Sequence, residues 1–179
     1  MRYETIITQP VIETERFCLR PIRRSDAGLL EMHTSDRRVA EATASIPHPL
    51  PPGATEAFIA RATDEDRIED VWIMDGSQKG HAEVLGVIGL ECMDRSQSRV
   101  GYWVAPAFWN TGLASEAVES LIAANPQGCK TVFAEVFQDN PASARVLTKA
   151  GFEYLGDAET HSVARGANVS TWTYLKKLM

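Results

Sequence analysis

No stretch of this sequence approaches the ~20 consecutive apolar residues that a membrane helix needs. Its first ten residues, MRYETIITQP, contain no apolar leader region. Positive charge is scarce and dispersed: 18 Lys and Arg stand against 24 Asp and Glu, a net charge of −6. No basic cluster is longer than Arg23-Arg24 or Arg37-Arg38, so sequence-independent nucleic-acid binding is not expected. The three cysteines, Cys18, Cys92 and Cys129, are far apart, odd in number and set among apolar residues. That spacing supports neither a disulfide framework nor a metal site, and all three read as reduced core residues. The four histidines, His33, His48, His81 and His161, form no pattern and read as surface residues or loop contacts. There is no internal repeat, low-complexity tract or interdomain linker. These absences point to a cytoplasmic protein without metal, membrane or nucleic-acid partners.

What is present suits one domain. A chain of 179 residues, 44% hydrophobic and 23% charged, is long enough to bury a real core and too apolar to be disordered. Residues 11–22 read as a first strand, and Ser25 or Asp26 as the cap of a helix through about His33. Residues 36–43 and 55–62 read as two more helices, separated by a proline-rich loop with four prolines in eight residues. Residues 71–74 and 83–93 suggest a hairpin pair, and residues 152–160 and 169–176 two closing strands.

The middle of the chain is the most informative. In residues 99–105, Val100, Tyr102 and Val104 alternate with Gly101 and Trp103, a strand pattern that Pro106 ends. A turn of Asn110, Thr111 and Gly112 follows. From Leu113, apolar residues recur at three- and four-residue steps, so a helix begins. A strand that runs through a small-residue turn into a helix start is an anion-binding geometry, because the first N–H groups of a helix lack internal partners. A second unit lies about 30 residues on. There the strand at residues 131–137 leads to Asn140 as N-cap, Pro141 at the first helical position and Gly151 past the helix end.

These blocks carry a family resemblance. The segments ETERFCLRPIRRSDA (13–27), GYWVAPAFWNTGLASEA (101–117) and DNPASARVLTKAGFEYLG (139–156) resemble GNAT-type N-acetyltransferases, in the RimJ/RimL branch that acetylates ribosomal-protein N-termini. The resemblance spans residues 12–174. It implies a single α/β domain with a mixed, strongly twisted sheet of six or seven strands, flanking helices and splayed central strands. It also implies acetyl transfer from acetyl-CoA, without a covalent enzyme intermediate, to a primary amine. A protein N-terminal α-amine is the first expectation. A small amine such as a polyamine or aminoglycoside is the alternative, and a non-catalytic acyl-CoA-binding protein a third. The chain would be a monomer or homodimer.

On this resemblance Trp109, Asn110, Thr111, Gly112, Leu113, Ala114 and Ser115 form the pyrophosphate loop, with Trp109 where the family has Arg or Gln. Trp103, Val104 and Ala105 form the track for the pantetheine arm, and a backbone N–H near Val104 faces the thioester oxygen. Asn140 contacts the pantetheine region, besides its plain role as a helix cap. The Ser143 hydroxyl lies near the sulfur, besides being an ordinary first-turn serine. Arg145 and Lys149 suit the helix dipole. The family often has a glutamate where this chain has Arg99. Two carboxylates within apolar strands, Glu91 and Glu135, are therefore the candidate bases, unless each faces water at a strand edge. The link at residues 120–132 is shorter than is usual in the family and bears on a site wall or a subunit contact.

Overall fold

The computed structural model describes residues 9–178, so most of the N-terminal stretch read for a leader lies outside the described residues. The strands are β1 (Ile12–Glu13), β2 (Cys18–Pro21), β3 (Glu69–Asp75), β4 (Gly86–Met93), β5 (Gln97–Val104), β6 (Thr131–Phe137), β7 (Glu153–Ser162) and β8 (Ala167–Lys177). The helices are α1 (Ala27–Thr34), α2 (Arg37–Ala42), α3 (Ala54–Ala62), α4 (Leu113–Ala124) and α5 (Pro141–Lys149). The strands form one sheet in the order β1-β2-β3-β4-β5-β6-β8-β7.

Eight strands replace the expected six or seven because residues 11–22 are not continuous. The Thr14 N–H donates to the Phe17 carbonyl at 3.0 Å, and this turn splits β1 from β2. The first helix also starts differently. Asp26 closes a 3-10 turn (Arg24–Asp26), and its carboxylate accepts from the Arg23 N–H and the Arg20 guanidinium, so neither it nor Ser25 caps α1 by a side-chain bond. Asp36 does cap α2, accepting the Arg38 N–H at 2.9 Å.

Neighbouring strands are antiparallel except β5 and β6, which are parallel because α4 crosses between them. Two cores cover the two faces. Phe17, Leu19, Trp72, Ile88 and Val100 pack with Leu121 of α4 and Leu147 of α5. On the opposite face Ile22, Val71, Ile73 and Val87 pack with Leu30 of α1 and Ile59 of α3. Cys18 and Cys129 are buried as expected, but Cys92 is exposed near the end of β4.

Both strand–turn–helix units form as read. Asn140 accepts the Ser143 N–H at 3.3 Å, Pro141 opens α5, and Gly151 takes φ +89° beyond it. The short link after α4 is held by its own side chains. Asn125 bonds both backbone groups of Cys129, and Gln127 bonds Asp70, Ser98 and the Leu90 carbonyl. None of residues 125–130 lines either cavity described below.

Candidate active site

The parallel β5–β6 ladder starts at Gln97↔Thr131 and stops at Val100↔Ala134. Beyond it β5 runs on to Val104 and β6 to Phe137 without pairing to each other, so the expected splay is present. Backbone alternation decides what faces this gap. The Ala105 N–H donates to the Leu85 carbonyl, across towards β4. Successive N–H groups of a strand point to opposite sides, so the Val104 N–H points into the gap. The Val104 carbonyl is already taken, by the Trp109 indole N–H at 2.7 Å. Ala105 itself is buried and lines neither cavity.

Two cavities meet at the gap. One, of about 670 Å³, runs past Tyr102, Trp103 and Val104 to the loop from Trp109 to Ser115, and is bounded by α5. The backbone of its loop is built for close approach. Asn110 and Gly112 have φ of +61° and +81°, and no side chain caps α4. The first N–H groups of α4 are therefore free for an anion. Leu113 and Ser115 bury their side chains, so backbone is what they offer a ligand. Arg38, Arg145, Lys149 and Arg165 line the same cavity, and Arg38 also stands 5.9 Å over the Trp109 ring. A phosphate-bearing ligand suits this donor set.

Sequence reading missed the clamp that holds the loop. Arg16 donates to the Thr111 carbonyl at 2.7 Å and to Glu116 at 2.7 Å, while Thr14 and the Arg16 N–H also donate to Glu116. Burial alone would raise the Glu116 carboxyl, but these donors and the guanidinium outweigh it and hold the pKa below the usual range.

The other cavity, of about 560 Å³, lies on the α1–α3 side of the sheet. Residues 42–47 and Leu50 of the proline-rich loop wall it, together with Phe58 and Arg61 of α3. Cross-strand partners share a face, so Val71, Gly89 and Gly101 form one row and Glu69, Glu91 and Arg99 the next. Both candidate bases line this cavity, yet each is engaged. Glu91 accepts from Arg99 at 2.6 Å, and Glu135 accepts from the hydroxyls of Thr160 and Thr171. Glu69, which reads from the sequence as part of a solvated acidic segment at residues 64–70, opens β3 and lines the cavity as well. Burial, then the nearby Glu91, raises its pKa.

At the junction of the cavities the Tyr102 hydroxyl lies 2.7 Å from the Ser143 hydroxyl. Tyr102, Trp103, Asn140 and Ser143 line both cavities. Burial pushes the Tyr102 phenol up to about 12, against a smaller lowering by the Ser143 bond, so it stays protonated near neutral pH. Tyr102 was readable in principle, because a tyrosine inside an apolar strand needs a partner for its hydroxyl. His33 corrects another expectation. It is half-buried, with its ring 6.1 Å from that of Trp103, and burial lowers its pKa despite opposing contributions from Val84 and Asp36. His48 too is only partly exposed, with a buried Nδ1.

Comparison with known proteins identifies the fold and the family. The chain is 28% identical over 174 residues to the uncharacterized N-acetyltransferase YoaA of Bacillus subtilis (strain 168), covering 92% of this chain and 95% of that one. Its fold matches RimL, a ribosomal L7/L12 alpha-N-protein acetyltransferase in complex with coenzyme A. That match has a TM-score of 0.78 at 14% identity, over 94% and 98% of the two chains. It also matches spermidine N-acetyltransferase from Vibrio cholerae in complex with CoA and spermine, with a TM-score of 0.74 at 15% identity, over 91% and 98%. Residues 16–153 match the acetyltransferase (GNAT) domain, and the chain belongs to that family.

Proposed function

We propose that this chain moves an acetyl group from acetyl-CoA to a primary amine, with the cofactor in the cavity at the Trp109–Ser115 loop and the amine in the other. The observation that carries this is the meeting of two cavities, through parted strands, at one hydrogen-bonded pair, Tyr102 and Ser143. Acetyl-CoA supplies an electrophilic thioester carbon and a thiolate leaving group.

The backbone N–H groups at Gly112 to Ser115 would hold the pyrophosphate. The Val104 N–H faces the gap and is placed to stabilise an oxyanion. The amine nitrogen forms the new N–C bond as the C–S bond breaks, and Ser143 donates a hydrogen bond to the departing sulfur. Asn140 holds the turn that presents Ser143, and its place in both cavities supports a cofactor contact as well. With Glu91 and Glu135 already engaged, a bound water relays the amine's proton to solvent in this reading.

The similarity to RimL and to the RimJ/RimL motifs supports a protein N-terminal α-amine as acceptor. The walled, carboxylate-lined cavity favours a second reading, a small cationic amine. The test is a panel of amines and N-terminal peptides assayed by thiol release from acetyl-CoA. Release that depends on an amine is expected. Cofactor binding without release for any amine would make the chain an acyl-CoA-binding protein instead.

A further inference from the structure

Three glutamates line the acceptor cavity, and their partners separate them. Glu91 is neutralised by Arg99, and Glu135 is bonded by two threonine hydroxyls. Glu69 makes neither a hydrogen bond nor an ion pair among the described residues, although Arg61 and Arg99 act on it from further off and Glu91 and Asp70 oppose them.

Its position is set by an absence of side chains. A Cβ built on Gly89 would lie 3.0 Å from the Glu69 carboxyl carbon, so the carboxylate lies over Gly89. Gly101, the cross-strand partner of Gly89, has nothing within 4 Å of its would-be Cβ. Two adjacent glycines thus leave a bare floor under the cavity, with one unpartnered carboxylate laid across its edge. A half-buried carboxylate with no partner of its own, beside the Glu91 charge, is a place where a cation gains a contact.

Distance decides which cation. Val104 lies three residues beyond Gly101 on β5, about 10 Å at the usual strand rise. A reacting nitrogen sits roughly 3 to 3.5 Å from the carbonyl carbon it attacks. Gly89, which lies under the carboxylate, is one strand spacing of about 4.8 Å to the side of Gly101. Glu69 therefore stands roughly 8 to 14 Å from that nitrogen, beyond the ~3 Å reach of direct proton transfer. The separation admits a second positive group on the same molecule, since the nitrogens of a four-carbon diamine are about 6 Å apart when extended and an ion pair adds about 3 Å.

We propose that Glu69 is the specificity residue for an acceptor with two cationic groups, holding the one that is not acetylated. This rests on the acetyl-transfer reading above and narrows its substrate to a small diamine-like molecule.

The experiment is steady-state acetylation of 1,4-diaminobutane, butylamine and an alanine-initiated tripeptide by wild type, Glu69→Gln and Glu69→Asp. Wild type should favour 1,4-diaminobutane over butylamine roughly tenfold or more in kcat/KM, the scale for a desolvated charge contact. Glu69→Gln should erase that preference by raising KM for the diamine at least about fivefold more than KM for butylamine, since only the diamine makes the contact. Glu69→Asp should recover part of it.

Equal losses for both amines in Glu69→Gln would overturn the proposal and make Glu69 a structural or proton-transfer group. A preference for the tripeptide over both amines would overturn it too. Either result would leave acetyl transfer standing. No transfer to any acceptor by wild type would remove the acetyl-transfer reading, and the role of Glu69 with it.

Discussion

Ser143 and Tyr102 show how far a single residue's role depends on its neighbour. As a first-turn serine of α5, Ser143 needs no function. A hydroxyl 2.7 Å from a phenol that burial keeps protonated, at the meeting point of two cavities, is a different object. A thiol pKa near 8.5 makes a thiolate a tolerable leaving group, so in the proposed role the serine would act by hydrogen bonding rather than by full proton donation. Ser143→Ala should therefore lower kcat about 10- to 100-fold, the low end of general-acid effects, with KM for acetyl-CoA little changed. Tyr102→Phe should cost less, because Ser143 keeps its hydroxyl. If the two act as one relay, the double variant should be no worse than Ser143→Ala. Additive losses in steady-state kinetics would separate them. The family resemblance pointed to Ser143, but Tyr102 and Glu69 lie 41 and 74 residues from Ser143, and only the register of β3, β4 and β5 gives them their places.

At the scale of elements, the loop between β5 and α4 was the most legible part of the chain. Its glycine, its proline and the helical spacing after Leu113 are local signals, and local signals survive into the structure. What was not legible is the clamp from Arg16, since a contact 95 residues away leaves no periodic trace. Likewise the first strand was read as continuous, because a turn made by Thr14 hydrogen bonding has no Gly or Pro to mark it. The loop's two left-handed residues give a clean test. Gly112→Val places a β-branched residue at φ +81° and should cost about 1 to 3 kcal/mol in stability. Gly112→Asn tolerates that conformation better. Both variants put a side chain where, in the proposed site, a phosphate would approach. Calorimetric titration should show at least a tenfold weaker acetyl-CoA affinity, ~1.4 kcal/mol, for both. Unchanged affinity in the well-folded Asn variant would remove the loop from the cofactor site.

For the molecule as a whole, the open question is what keeps the α1–α3 face seated on the sheet beside so large a cavity. Arg20 of β2 is a strong answer. It is 8% exposed and donates to Asp26 at 2.7 and 2.9 Å and to Asp75 at 2.6 Å, joining the turn before α1 to the end of β3. Burial would lower the pKa of Arg20, but the two carboxylates reverse that and raise it. Burial would likewise raise Asp75, but the Ser77 hydroxyl, the Arg20 guanidinium and the Ser77 N–H hold it below its ordinary value. Removing the arginine leaves two buried carboxylates without their cation, so Arg20→Met should cost about 3 to 5 kcal/mol. At this chain length that is a drop of roughly 6 to 20 °C in Tm. The pH dependence follows from Asp75. With its folded pKa depressed, its contribution is fully present above the unfolded value, ~3.9, and is lost as pH falls towards the folded one. In Arg20→Met the part of that depression due to the guanidinium is relieved, while the Ser77 bonds remain, and protonating Asp75 removes a charge that has lost its cation. The gap between wild type and variant should thus be widest near neutral pH and shrink as pH falls through the carboxylate range. Thermal unfolding measured from pH 7 down to about pH 2 checks this, and a gap that stays constant would show that Arg20 stabilises by packing its stem rather than by its charge.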